Sequence, residues 1–148
     1  MTYLLKMILH KEYNIESDAV IGFVNDGTDD IMISHGWLEY QGRKIDVALA
    51  NPNHGQRPGP VLILDQKFQD YGTADYSYHR ERGDAGERAI QRLLELGDSQ
   101  VDAMIQQKEK EHGFMVEIAS SEKQIMEYLS NAQNGANYER CFNLLFGL

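Results

Sequence analysis

The sequence predicts an α+β fold in which an antiparallel β-sheet of about five strands is flanked by helices. Three observations lead there. Residues 1–70 carry short β-branched and aromatic runs separated by turn dipeptides, and residues 84–148 carry apolar residues at helical spacing. The 148 residues, 42% hydrophobic and 25% charged with 13 Gly and 3 Pro, have the composition and length of one globular domain. Within that single domain, 1–148, a sheet-rich half (1–70) is joined by a loop (70–83) to a helix-rich half (84–148).

Residues 2–13 place Leu4, Leu5, Ile8 and Leu9 on one helical stripe, although a run this short also suits a buried strand. Residues 19–24, 30–40 and 43–50, separated by Asn25-Asp26-Gly27 and Gln41-Gly42, read as a three-stranded antiparallel meander. The segment 51–60 holds all three prolines, and 61–64 is an apolar run ending in Asp65, as a buried fourth strand would be. Residues 69–83 include Tyr71, Tyr76, Tyr78, His79, Arg80 and Arg82 with almost no aliphatic residues, and read as an exposed loop with the length of a lid. Ala89, Ile90, Leu93 and Leu94 form a helical stripe until Gly97, after which Asp98 or Ser99 caps a second helix bearing Val101, Met104 and Ile105. His112-Gly113 should end that helix, and Phe114, Val116 and Ile118 then alternate as a fifth strand. Ser121-Glu122-Lys123-Gln124 is a capping box opening another helix. A last helix from about Ala136 sets Tyr138, Cys141, Phe142 and Leu145 on a core-facing stripe.

Charge and cysteine usage narrow the function classes. Fourteen Lys and Arg against 23 Asp and Glu give a net charge of −9, which repels a phosphate backbone and disfavours nucleic acid as a partner. A single cysteine, Cys141, excludes an internal disulfide and a multi-cysteine zinc site and points to a reducing compartment. Lys6 breaks the N-terminal apolar run, and no stretch approaches the roughly 18 apolar residues of a membrane span, so a cytoplasmic location away from membranes is expected. Neither G-x-G-x-x-G nor a P-loop pattern occurs, and the five histidines lack close metal-ligand spacing. No cofactor is implied. His54, in Asn51-Pro52-Asn53-His54-Gly55, reads as a solvated loop residue.

The most informative stretch is Ser34-His35-Gly36-Trp37-Leu38-Glu39-Tyr40-Gln41-Gly42-Arg43-Lys44-Ile45-Asp46-Val47. A two-residue turn at Gln41-Gly42 pairs Tyr40 with Arg43, Trp37 with Asp46 and His35 with Ala48. His35 and Asp46 then share one sheet face as diagonal neighbours, roughly 7–8 Å apart at the backbone, a gap that their side chains can close. A carboxylate on one imidazole nitrogen fixes the tautomer and steadies the imidazolium, leaving the other nitrogen to take a proton. His35-Gly36-Trp37-Leu38-Glu39, a turn, and Gly42-Arg43-Lys44-Ile45-Asp46 resemble the His- and Asp-bearing strands of transglutaminase-like proteins in the papain-like cysteine-enzyme superfamily, over about residues 19–50. The resemblance implies His35 as general base, Asp46 as its orienting partner and a cysteine nucleophile attacking an acyl or amide carbonyl of a protein or peptide. No cysteine precedes His35, so either the nucleophile is lost or Cys141 supplies it from downstream, as in permuted members of the superfamily. His35 as a structural, hydrogen-bonded residue and Cys141 as an inert buried thiol are the plain alternatives.

Two other readings stand beside it, the first of which uses the same strand. Asp46 followed by Asp65-Gln66-Lys67 resembles the acidic-and-lysine core of restriction-endonuclease-like nucleases, with Glu39 as an extra carboxylate; Asp46 and Asp65 would hold Mg²⁺ while Lys67 steadies the attacking water. The acidic balance also suits a non-enzymatic inhibitor or immunity-type protein that blocks a basic protein partner by complementary charge.

Overall fold

The structure, a computed structural model, describes residues 1–51, 56–70, 74–132 and 137–147, with the backbone alone described at residues 69 and 70. Among the described residues the elements are α1 (Thr2–Tyr13), β1 (Asp18–Asn25), β2 (Ile33–Tyr40), β3 (Arg43–Asp46), β4 (Pro60–Ile63), β5 (Gln66–Asp70), β6 (Ser77–His79), α2 (Gly83–Leu94), α3 (Ser99–Ala119), α4 (Glu122–Ser130) and α5 (Tyr138–Phe146). The strands form one antiparallel sheet in the order β5-β4-β3-β2-β1-β6. The fold is therefore α+β, with an antiparallel sheet flanked by helices. The expected meander is its centre: Gln41 and Gly42 take the positive φ of +52° and +74° that a two-residue hairpin turn needs, and Tyr40 faces Arg43.

Alternation along β1 and β2 sorts the sheet into two faces. Ala19, Ile21 and Phe23, opposite Leu38, Gly36 and Ser34, face the helices. There Tyr3 and Met7 of α1 pack with Ile118, Ile125 and Leu129 in the main apolar cluster. Thr2 Oγ1 donates to the Gly36 carbonyl at 2.7 Å and ties α1 to the sheet. The other face carries Val20, Gly22 and Val24 opposite Trp37, His35 and Ile33. Three strand steps separate β6 from β3, about 14 Å in a flat sheet, yet the Tyr78 hydroxyl of β6 reaches Asp46 of β3 at 2.8 Å. The sheet is curled around that face. Gly22 makes the curl possible: a Cβ there would collide with the His79 carbonyl and lie 2.7 Å from the Trp37 ring.

Several expectations are corrected. Gly113 does not end α3, which runs unbroken from Asp98, whose carboxylate accepts the Gln100 and Val101 N–H groups, to Ala119. No strand covers 114–118: Phe114 and Val116 are 56% and 45% exposed, and the inward stripe is Ile105, His112, Met115 and Ile118, at helical spacing. Mid-helix glycine costs only about 1 kcal/mol relative to alanine, which the packing of this stripe overrides. Residues 69–83 are not one loop, because β5 ends at Asp70 and β6 pairs with β1; the remaining lid positions 71–73 lie outside the described residues. β3 stops at Asp46 rather than residue 50. The short N-terminal run is a helix whose buried residues are Tyr3, Met7 and Ile8; of the expected stripe, Ile8 is buried and Leu4 packs partly buried against the main cluster, while Tyr3 and Met7 take the innermost positions. In α5 no residue is fully buried: Tyr138 packs against the main apolar cluster and Cys141 and Phe142 are half-buried, but Leu145 is 64% exposed, so only the first part of the expected stripe faces inward. Its expected start at Ala136 and the His54 loop lie outside the described residues.

Candidate functional site

The hairpin turn sets the register and the register sets the site. Beyond the Leu38–Ile45 pair, β2 continues while β3 ends at Asp46, so His35 and Asp46 meet diagonally on the curled face. His35 Nε2 lies 2.6 Å from Asp46 Oδ2. The Asp46 side chain is 1% exposed and that of His35 13%. Asp46 Oδ1 accepts the Ala48 N–H at 2.9 Å, and Oδ2 also accepts the Tyr78 hydroxyl. Every oxygen of this buried carboxylate thus has a donor, as a buried charge requires. Trp37 stacks edge-on against Tyr78 at 5.2 Å and closes the floor.

Burial alone would push the Asp46 carboxyl up, but the hydrogen bond and charge of His35, with the Ala48 and Tyr78 donors, more than reverse this and hold it below the ordinary range. It is an anion at neutral pH. Burial, followed by the negative charge of Asp46, drives the Tyr78 phenol far upward, so Tyr78 stays a donor. An ionised acceptor on Nε2 keeps the proton of the neutral imidazole on that nitrogen and leaves Nδ1 as the basic atom. His35 also lines a cavity of about 600 Å³ beside α2 and α3. A base held in one tautomer at the wall of a cavity can move a proton to or from a bound molecule.

No protein-family model, curated protein or solved structure matches the chain. The chemistry therefore rests on the geometry of these residues.

The third member expected from the sequence is elsewhere. Cys141, half-buried on α5, lines a different cavity with Leu4, Phe114, Ile118 and Tyr128. The residues of the metal-site reading each have other partners. Asp65 sits in the tight turn between β4 and β5 with φ +64°, where it pairs with Lys44 Nζ at 2.6 Å and accepts the Lys44 N–H. Lys67 pairs with Asp75, and Glu39 binds the Trp37 indole N–H at 3.0 Å and Arg80. Among the described residues no three His, Cys, Asp or Glu side chains form a group able to hold a metal ion. Asp46 is committed to its three donors, Asp65 to Lys44 and Lys67 to Asp75.

Tyr78 was concealed by its setting in a polar, aliphatic-poor stretch. The period-two spacing of Tyr76 and Tyr78 was the signal for a strand. A second polar contact also escaped the sequence: Ser34 Oγ lies 2.8 Å from His112 Nδ1, with the His112 ring stacked on Phe23 at 4.5 Å. Burial lowers the affinity of His112 for a proton. Nothing in the sequence joins positions 78 residues apart. Among the described residues no helix is long and apolar enough to cross a membrane.

Proposed function

We propose that His35 is the general base of an acyl-transfer or hydrolytic site of transglutaminase-like character, acting on an ester, thioester or amide carbonyl. The observation that carries the reading is the 2.6 Å contact of His35 Nε2 with the buried Asp46 carboxylate. His35 Nδ1 takes the proton of an incoming nucleophile as that nucleophile adds to the carbonyl carbon. The imidazolium, paired with the Asp46 anion, then returns the proton to the departing oxygen, sulfur or nitrogen as its bond to carbon breaks. Asp46 stays ionised throughout, and Tyr78 and the Ala48 N–H hold it in place. Because Cys141 lines a different cavity, the nucleophile in this reading is water or a hydroxyl, thiol or amine of a second substrate.

The test is hydrolysis of p-nitrophenyl acetate and of a matched thioester by wild type, His35→Gln and Cys141→Ala, with circular dichroism as the check on folding. Positioned acid–base groups contribute about 10²–10⁴-fold, so His35→Gln loses activity on that scale while Cys141→Ala keeps it. Equal turnover by His35→Gln and wild type, or no turnover by wild type, contradicts the proposal.

A further inference from the structure

The cavity lined by Cys141 has a volume of about 930 Å³ and draws its wall from α1, α3, α4 and α5. Two of these helices present the same pattern to it. On α3 the lining residues Phe114, Glu117 and Ile118 stand at i, i+3 and i+4, and on α4 Gln124, Glu127 and Tyr128 repeat that spacing, so each set occupies one helix face. Each face therefore offers one aromatic ring and one carboxylate. Ile118 and Leu129 are buried at the base of the wall, whereas Phe114 and Tyr128 are 56% and 43% exposed. The two rings meet edge-on at 6.2 Å, and Tyr128 also meets Tyr3 edge-on at 5.7 Å. Their positions are thus set by packing before any partner arrives, which lowers the ordering cost of binding.

Exposed aromatic rings around an apolar cavity mark a surface that a partner covers. The charges select the partner. Glu111, elsewhere on α3, is matched by Lys108 at 2.7 Å, but the exposed carboxylates of Glu117 and Glu127 have no ion pair among the described residues. No Lys or Arg side chain lines the cavity among those residues either. The Met1 α-amine, also at the wall, is held by burial below its ordinary value, which reduces its charge. The mouth is therefore apolar with a negative border, and it complements a surface that is apolar with a positive border.

We infer that this cavity is the docking site for a basic amphipathic helix of a partner protein, which lays its apolar face on Phe114 and Tyr128 and sets Lys or Arg side chains against Glu117 and Glu127. Recognition of this kind uses apolar anchors on one helix face, with flanking charge fixing the partner's identity. It gives the acidic balance of the chain a local address. It is also separate from the His35 site, since His35 lines the other cavity and not this one.

The probe is a synthetic peptide of leucine and lysine at helical spacing, about 14 residues or four turns long, with a leucine and glutamate peptide of the same pattern as its counterpart. Both are titrated calorimetrically at physiological ionic strength, where charges more than about 8 Å apart are screened. The lysine peptide should bind saturably at one site and the glutamate peptide at least about tenfold more weakly. Phe114→Ala, and separately Glu117→Lys with Glu127→Lys, should each weaken the lysine peptide by about tenfold or more, with circular dichroism as the folding check. Glu81→Lys with Glu95→Lys makes the same change in net charge at exposed positions outside the cavity and should leave the affinity within about twofold. No saturable binding, undiminished binding in folded Phe114→Ala, or equal losses from the two charge reversals overturns the inference. Self-association that Phe114→Ala abolishes, without peptide binding, would give the cavity to a second copy and also overturn it. The ester assay of His35 is unaffected by any of these results.

Discussion

The curled face of the sheet and the helical end that holds Cys141 are built on different physical terms. Around Asp46 three donors converge on one buried carboxylate from three elements: His35 on β2, Tyr78 on β6 and the Ala48 amide just past β3. The helix that carries Cys141 is dominated by aromatic contacts instead: Tyr138 stacks on Phe142 at 5.9 Å and Phe142 lies tilted against Phe146 at 4.4 Å. Hydrogen bonds to a charge fix angles, tautomer and proton position, whereas apolar stacking fixes only proximity. The first arrangement is suited to moving protons and the second to packing.

Substitutions that separate these two regions should differ accordingly. The largest effect is on activity, where His35→Gln loses about 10²–10⁴-fold and Cys141→Ala nothing in the same ester assay. Next is Asp46→Ala, which strips the partner from His35, Tyr78 and the Ala48 amide; urea unfolding should show a loss of about 3–5 kcal/mol. Gly22→Ala forces a methyl against Trp37 and the His79 carbonyl and should cost about 1–3 kcal/mol in the same measurement, uncurling the face while keeping the Asp46 carboxylate and its three donors in the sequence. Tyr78→Phe removes one donor to a charged acceptor and should cost about 1–2 kcal/mol. The smallest effect is in acid. Because the folded Asp46 carboxyl is held below its ordinary value of about 3.9, it stabilises the fold above that value, and this contribution disappears as pH falls through the folded value. Urea midpoints followed down through that range should therefore drop more steeply for wild type than for Asp46→Asn; parallel curves would mean that Asp46 adds no acid sensitivity.

Local signals carried the central hairpin. Gln41-Gly42 dictated the register, and the register brought His35 and Asp46 onto one face, so the half of the site made within 12 residues was legible in the sequence. Tyr78 was not, since its strand is three residues long and takes its stability from pairing with β1, a long-range contact that no local pattern encodes. The 114–118 segment misled for the opposite reason. Phe114, Val116 and Ile118 alternate, but that alternation spans a helix surface on which Phe114 and Val116 are exposed. Cys141 satisfied a one-dimensional pattern on a helix that packs on α4, away from the curled face of the sheet. The Ser34–His112 contact depends on how α3 settles against β1 and β2, which only the assembled fold determines.

The central claim is that Asp46 holds the His35 proton on Nε2 and leaves Nδ1 as the base. Long-range ¹H–¹⁵N correlation spectra of the imidazoles test it most directly, with His35 assigned through His35→Gln. The account predicts a neutral His35 protonated at Nε2, with that proton shifted downfield by the carboxylate and the tautomer losing its dominance in Asp46→Asn. A His35 ring protonated at Nδ1, or one whose spectrum is unchanged in Asp46→Asn, would contradict it.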